Sequence, residues 1–186
     1  MREVLKRIGP ALREVGFRGS GQTFRKREDD FVFVINFQGS RWGDFFFVNL
    51  GAQPTFIPAE GNASLTTLKE HECVLRRRVG EEWPWELSDR QFASFMAKLM
   101  STQGRFFARA GALRAALATE TPEALIKKFS TGTTHARASL HLARAAHALG
   151  HHDLACRLAH RGIKMAGPQA TILVAEFRDV LRSAST

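Results

Sequence analysis

Two aromatic-rich runs constrain this chain most. FVFVINFQ over residues 31–38 and DFFFVNLG over 44–51 are separated only by Gly39-Ser40-Arg41-Trp42-Gly43. Residues alternate between faces along a strand, so Phe31, Phe33, Ile35 and Phe37 share one face, and Val32, Val34, Asn36 and Gln38 the other. In the second run Phe46, Val48 and Leu50 oppose Phe45, Phe47 and Asn49. Strands this apolar, joined by a short Gly-bearing link, read as a hairpin inside a packed sheet. Gln22 to Glu28 and His71 to Val79 add two more strand-like runs. Glu28-Asp29-Asp30 forms the first link, and Gln53 to Thr67, with Pro54, Pro58 and Gly61, reads as a loop. Gly19-Ser20-Gly21 reads as a loop as well. The expectation is a four-stranded antiparallel meander with flanking helices on one face.

Helical signals bracket this region. Val4, Leu5, Ile8, Leu12 and Val15 follow a helical stripe that Gly16 ends. Ser88 with Gln91 is a capping box, and Phe92, Phe95, Met96 and Leu99 form the stripe behind it. Gly104 is a candidate break, with Phe106, Phe107, Ala110, Leu113 and Leu117 resuming the pattern. Thr121-Pro122-Glu123 is a second helix start. From Thr134 a helical hairpin turns at Gly150 and is followed, after Gly167-Pro168, by a third helix. Its small facing residues are similar to one tetratricopeptide-type unit of about 34 residues. The fold class is therefore α+β, with an α+β domain over residues 1–118 and an all-helical C-terminal extension over 119–186.

Composition narrows the function classes. The chain has 186 residues and a net charge of +9, from 20 Arg and 7 Lys against 18 acids. Such a charge favours acidic partners. The two cysteines, Cys73 and Cys156, sit in no motif and read as free thiols of a reducing compartment, which points to the cytoplasm. The N-terminus lacks a signal-peptide core, and Glu3 and Glu14 argue against a transit peptide. No apolar run approaches the roughly 20 residues of a membrane span.

Three segments carry a family pattern: VGFRGSGQTFRKRE, VINFQGSRWGDFFFVNLG and CVLRRRVGEEWPWELSD. Helix then Gly-Phe, a Phe-Arg strand, Phe-Gln-x-Ser and Phe-x-Val-Asn-Leu-Gly resemble the bacterial domain-of-unknown-function family 4304 over roughly residues 1–118. The resemblance implies an α+β fold with one antiparallel sheet. It implies no chemistry.

Candidate binding residues follow from polarity out of place. Gln38, Trp42 and Asn49 sit in or beside apolar strands, where an amide must be hydrogen-bonded. They form either the polar floor of a recognition cleft or amides satisfied by loop backbone. A hairpin does not by itself bring Gln38 against Asn49. Arg76 and Arg78 share a strand face, as do Arg25 and Arg27, making either an anion patch or a charge-protected edge. Here Glu28, Asp29, Asp30, Glu70 and Glu72 are available to neutralise them. Arg105 and Arg109 lie in Arg90–Thr119, which is free of acids, and Ala124–His152 is likewise acid-free with Lys127, Lys128, Arg137 and Arg144. One-signed helices suit an acidic partner or nucleic acid. Trp83, with Pro84 and Trp85, is a binding lip or a plug between sheet and helices. His147 and His151 have ligand spacing, but Gly150 interrupts the helix, and no metal or cofactor is expected. No nucleophile elbow, phosphate loop or zincin helix occurs.

These features favour a non-catalytic binding protein whose basic surface recognises an acidic protein, in a setting such as immunity or antitoxin function. Nucleic-acid binding through the basic helices is the second reading. An enzyme of unrecognised type is the third.

Overall fold

The computed structural model describes residues 2–41 and 43–184, without the side chain of Arg2. It divides into two compact units, Met1–Thr55 with Ala59–Arg109, and Phe56–Pro58 with Ala110–Thr186.

The first unit contains helix α1 (Arg2–Glu14), strands β1 (Arg18–Ser20), β2 (Thr23–Glu28), β3 (Phe31–Gly39), β4 (Phe45–Pro54) and β5 (Leu75–Pro84), and most of helix α2 (Asp89–Gly111). All five strands are antiparallel, and their spatial order equals their chain order. The sheet thus has five strands where four were expected. The extra one, β1, occupies the anticipated Gly19-Ser20 loop. α1 ends in a Schellman motif: Gly16 adopts φ +92°, its N–H donates to the Arg13 carbonyl, and that of Phe17 to Leu12. The chain leaves this turn extended, and Gly19 pairs with Phe24.

Three further boundaries depart from expectation. β4 continues through Gln53 and Pro54, placed as loop. The fourth expected strand starts at Leu75 rather than His71, because Glu70–Glu72 forms a 3-10 turn in which Glu72 accepts the Lys69 N–H at 2.7 Å. It then runs past Val79 to Pro84. Gly104 does not break α2. Glycine costs a helix only about 1 kcal/mol against alanine, and buried Leu99, Thr102 and Phe106 hold the helix on either side.

One sheet face is aromatic. Phe24, Phe37 and Phe46 contact in series, and Phe46 meets Phe95 of α2 edge-on at 5.5 Å. Ile8 and Leu12 of α1 are fully buried. This is the core, set by the period-2 and period-3.6 stripes. The opposite face is half covered. Segment 55–74 returns over Val32 and Val34 and buries Ala59, Leu68 and Cys73 against them. Its approach requires Gly51: a Cβ there would lie 2.6 Å from the Cys73 Sγ. On the rest of that face Gln38 and Arg78 are exposed, and Thr23, Asn36 and Phe47 half-buried.

The second unit is helical: α3 (Leu113–Thr119), α4 (Pro122–Phe129), α5 (His135–Ala148), α6 (His152–Met165) and α7 (Thr171–Ala184). Thr121 caps α4 by accepting the Ala124 N–H, and Thr134 caps α5 by accepting that of Arg137. The α5–α6 hairpin turns at Gly150, φ +80°. Ala143, Ala146, Leu158 and Ala159 fill its interior, and Ser139 donates to the Leu158 carbonyl. Phe177 of α7, fully buried, lies against Gly162 of α6. Among the described residues no helix is long and apolar enough to cross a membrane.

Candidate anion-binding site on the open sheet face

Strand register lays a polar row across the whole sheet. Ser20 pairs with Thr23, Thr23 with Asn36, Asn36 with Asn49, and Asn49 with Arg78. Directly paired residues share a face, so all five lie on the half-covered side. The Asn36 amide donates to the Thr23 hydroxyl at 3.0 Å. Gln38 lies one step along β3, diagonal to Asn49, and its longer side chain closes the offset. Asn49 Nδ2 donates to Gln38 Oε1 at 2.9 Å.

Arg78 completes the cluster from β5. Its Nε donates to Asn49 Oδ1 at 3.0 Å, and Nη2 to Gln38 Oε1 at 3.1 Å. The guanidinium carbon sits 4.6 Å from the Phe47 ring centroid. Arginine can only donate, so both amides must turn their oxygens toward it. Both amide oxygens are therefore occupied by cluster N–H groups. What remains is Arg78 Nη1, one N–H of Nη2, the Gln38 Nε2 pair and the second N–H of Asn49 Nδ2, all donors, the first two on the charged guanidinium. Arg78 and Gln38 are exposed, while Asn49 is only 9% exposed and serves as the buried anchor.

The neighbouring row explains why the site begins where it does. Arg25, Val34, Gly51 and Arg76 are consecutive partners across β2 to β5. Arg25 donates to the Leu68 and Thr67 carbonyls at 2.5 and 2.8 Å, and Arg76 Nη1 to the His71 carbonyl at 2.9 Å. Fully buried Gln53 accepts the Val74 N–H. These residues fasten segment 55–74 to the sheet, so Arg76, a candidate for binding, already holds the chain's own backbone. Two of the acids considered for neutralising the strand arginines are engaged elsewhere. Glu28 pairs with Lys26, and Glu72 closes the 3-10 turn. Among the described residues no carboxylate pairs with Arg76, Arg77 or Arg78.

The other candidates lie elsewhere. Trp42 is outside the described residues. Trp83 is half-buried on the core side, 5.1 Å edge-on from Phe95, and Trp85 stacks on Phe46 at 4.5 Å. Arg105 and Arg109 are exposed on α2, which covers the core face; Arg105 donates to Ser101. They do not join the cluster.

The acid-free helices obtain carboxylates from distant sequence. Arg137 and Arg144 of α5 both bind Glu176 of α7, at 2.5 and 3.0 Å. Lys128 binds Glu120, and Lys98 binds Glu81. Three of the four cations in the second acid-free stretch, and Lys98 in the first, thus sit in internal ion pairs, a compensation that local charge counting misses. His147 and His152 contact through their Nδ1 atoms at 3.2 Å, while His151 precedes α6. Among the described residues no group of three or more His, Cys, Asp or Glu side chains is placed to hold a metal ion. Burial first, then the Glu70 and Glu72 carboxylates, push the Cys73 thiol far above its usual range.

A family model described as a domain of unknown function, DUF4304, matches residues 8–105, from the middle of α1 through the sheet into α2. The match takes in the whole polar row. No curated protein and no solved structure matches the chain.

Proposed function

The chain belongs to the DUF4304 family, and from that premise we propose that it is a non-catalytic binding protein whose open sheet face grips a carboxylate of an acidic protein partner. The observation carrying this reading is the donor inventory: Asn49 turns its oxygen to Arg78, and Gln38 turns its own to Arg78 and the Asn49 amide, leaving N–H groups outward. Such a surface favours an anion with several acceptor oxygens. Two amides and Phe47 hold Arg78 before any ligand arrives, so little side-chain freedom is lost on binding. Arginine and carboxamides do not exchange protons near neutral pH, which suits holding rather than acid–base catalysis. An immunity- or antitoxin-like protein, which works by binding alone, is a setting that fits.

A carboxylate is favoured over a phosphodiester backbone for a geometric reason. Nucleic-acid binders track successive phosphates with many cations, whereas this site offers one oriented guanidinium, and Lys128, Arg137 and Arg144 among the helical cations are paired with carboxylates. Labelled hexaglutamate in a fluorescence-anisotropy titration tests the reading. Arg78→Ala should weaken binding about 10- to 100-fold, the worth of a charge-assisted contact. Arg90→Ala, on the exposed side of α2, should change it less than about twofold. Unchanged hexaglutamate affinity in Arg78→Ala overturns the proposal. Tight, salt-sensitive binding of a short DNA duplex that survives Arg78→Ala favours the nucleic-acid reading instead.

A further inference from the structure

Arg78 stands on the last strand of the sheet, and among the described residues β5 pairs on one side only. From Leu75 to Val79 it runs in unbroken register with Ala52 to Val48 of β4. Alternate backbone N–H and C=O groups of such a strand point away from its partner. Beyond Val79 the register breaks, with Gly80, Glu81 and Glu82 standing where β4 supplies only Phe47. The regular free edge is therefore five residues long and is bounded by the bulge. The 3-10 turn at Glu70–Glu72 packs over β3 and β4, and Arg76 donates to its His71 carbonyl.

We propose that this edge accepts an extended acidic segment of a partner protein as a sixth strand. The inference rests on the anion-binding reading of Arg78 and names how the partner is held. Unprotected edges invite any passing strand, and sheets blunt them with charge. Here the edge carries three consecutive arginines, with Arg76 and Arg78 on the open face and Arg77 on the other. Arg77 and Arg78 are exposed, and among the described residues none of the three pairs with a carboxylate. A second copy of β5 laid antiparallel about Arg77 would set Arg77 against Arg77 and Arg76 against Arg78. Like charges directly opposite are unfavourable, so the edge rejects its own kind. A strand with three successive acids reverses every one of those signs. Its flanking residues fall beside Leu75 and Val79 and are apolar. Of the acids nearby, Glu81 pairs with Lys98, and Glu72 closes its turn. Backbone hydrogen bonds then supply affinity, and the exposed Arg77 and Arg78 supply selection, as in other strand-addition sites.

A blocked heptapeptide, Thr-Val-Glu-Glu-Glu-Val-Thr, tests this with the full chain. Its near-palindromic order makes strand direction immaterial. Two versions are N-methylated on alternate residues, one set facing β5 and the other facing solvent. The parent should bind, one methylated version should lose about tenfold or more, and the other should bind like the parent. Hydrogen exchange should slow at the outward-facing amides within Leu75–Val79. If both methylated versions bind like the parent, strand addition is overturned while Arg78→Ala still reports on the anion site. If hexaglutamate binds and the heptapeptide does not, strand addition likewise falls and the anion site stands. Failure of both probes overturns both.

Discussion

Asn49→Asp sets a carboxylate beneath Arg78 with almost no change of shape. The present amide oxygen lies 3.0 Å from Arg78 Nε. A ligand carboxylate on the outward N–H groups would lie about 3 Å beyond the guanidinium, so the two negative charges would be roughly 6 Å apart. Their repulsion is about 0.7 kcal/mol at the dielectric of water and about 2.8 kcal/mol at an effective value of 20. Hexaglutamate affinity should accordingly fall about 3- to 100-fold. Stability should move little. The variant loses the donor to Gln38 but exchanges a neutral contact with Arg78 for a charged one, so the change should stay within about 1 kcal/mol. Asn49→Ala is the companion: it keeps the charge of Arg78 and releases its orientation, and should weaken binding less than Asn49→Asp. Urea unfolding and anisotropy on the same samples separate the two effects. If Asn49→Asp unfolds at the wild-type midpoint and binds hexaglutamate as well as Asn49→Ala does, the donor-only account of the site is wrong.

Other outcomes concern the scaffold. A methyl at Gly162 overlaps the Phe177 ring, so Gly162→Ala should destabilise by about 1–2 kcal/mol, an overpacking strain of about 2–3 reduced by about 1 of helix propensity. A urea midpoint at or above wild type would contradict this, and Phe177→Leu in the same chain should recover part of the loss. Glu176→Gln removes the shared partner of Arg137 and Arg144, both about a third exposed or less. It should cost about 1–2 kcal/mol by thermal unfolding, discounted from a fully buried pair for solvent screening; Arg137→Ala on top should add less than on the wild type. Cys73 should resist a thiol reagent at neutral pH until the chain unfolds, because burial and the adjacent Glu70 and Glu72 keep it protonated. Rapid native-state labelling of a Cys156→Ser variant would disprove that.

Much of the architecture was legible because local chemistry decides it. Gly16, Ser88, Thr121 and Thr134 do what their residue types require at helix ends, and the Phe31–Gln38 alternation assigns the core face correctly. The misses share a different cause. β1 is held by its pairing with β2, a partnership invisible in a Gly-Ser segment. Gly104 survives inside α2 because tertiary contacts outweigh propensity. The site was half legible. Gln38, Asn49 and Arg78 stand out as polar residues in strands, but their meeting depends on one diagonal offset between β3 and β4 and on the β4–β5 register. Neither can be read from alternation alone. The pairing of Arg137 and Arg144 was hidden for the same reason, since Glu176 lies in another helix from the arginines it binds.

Strand order has a kinetic consequence. Because each strand pairs with its neighbour in the chain, the β2–β3 and β3–β4 ribbons close over very short links and belong among the early-forming contacts. The β4–β5 pairing must wait for the whole of segment 55–74 to be gathered, the largest loop-closure entropy in the sheet. Substitutions in β3 should therefore slow folding, and those in β5 should chiefly speed unfolding. The strand that bears Arg78 would then be the last to arrive and the first to peel away. The arginine edge would be completed only after the β2–β4 part of the aromatic layer has formed.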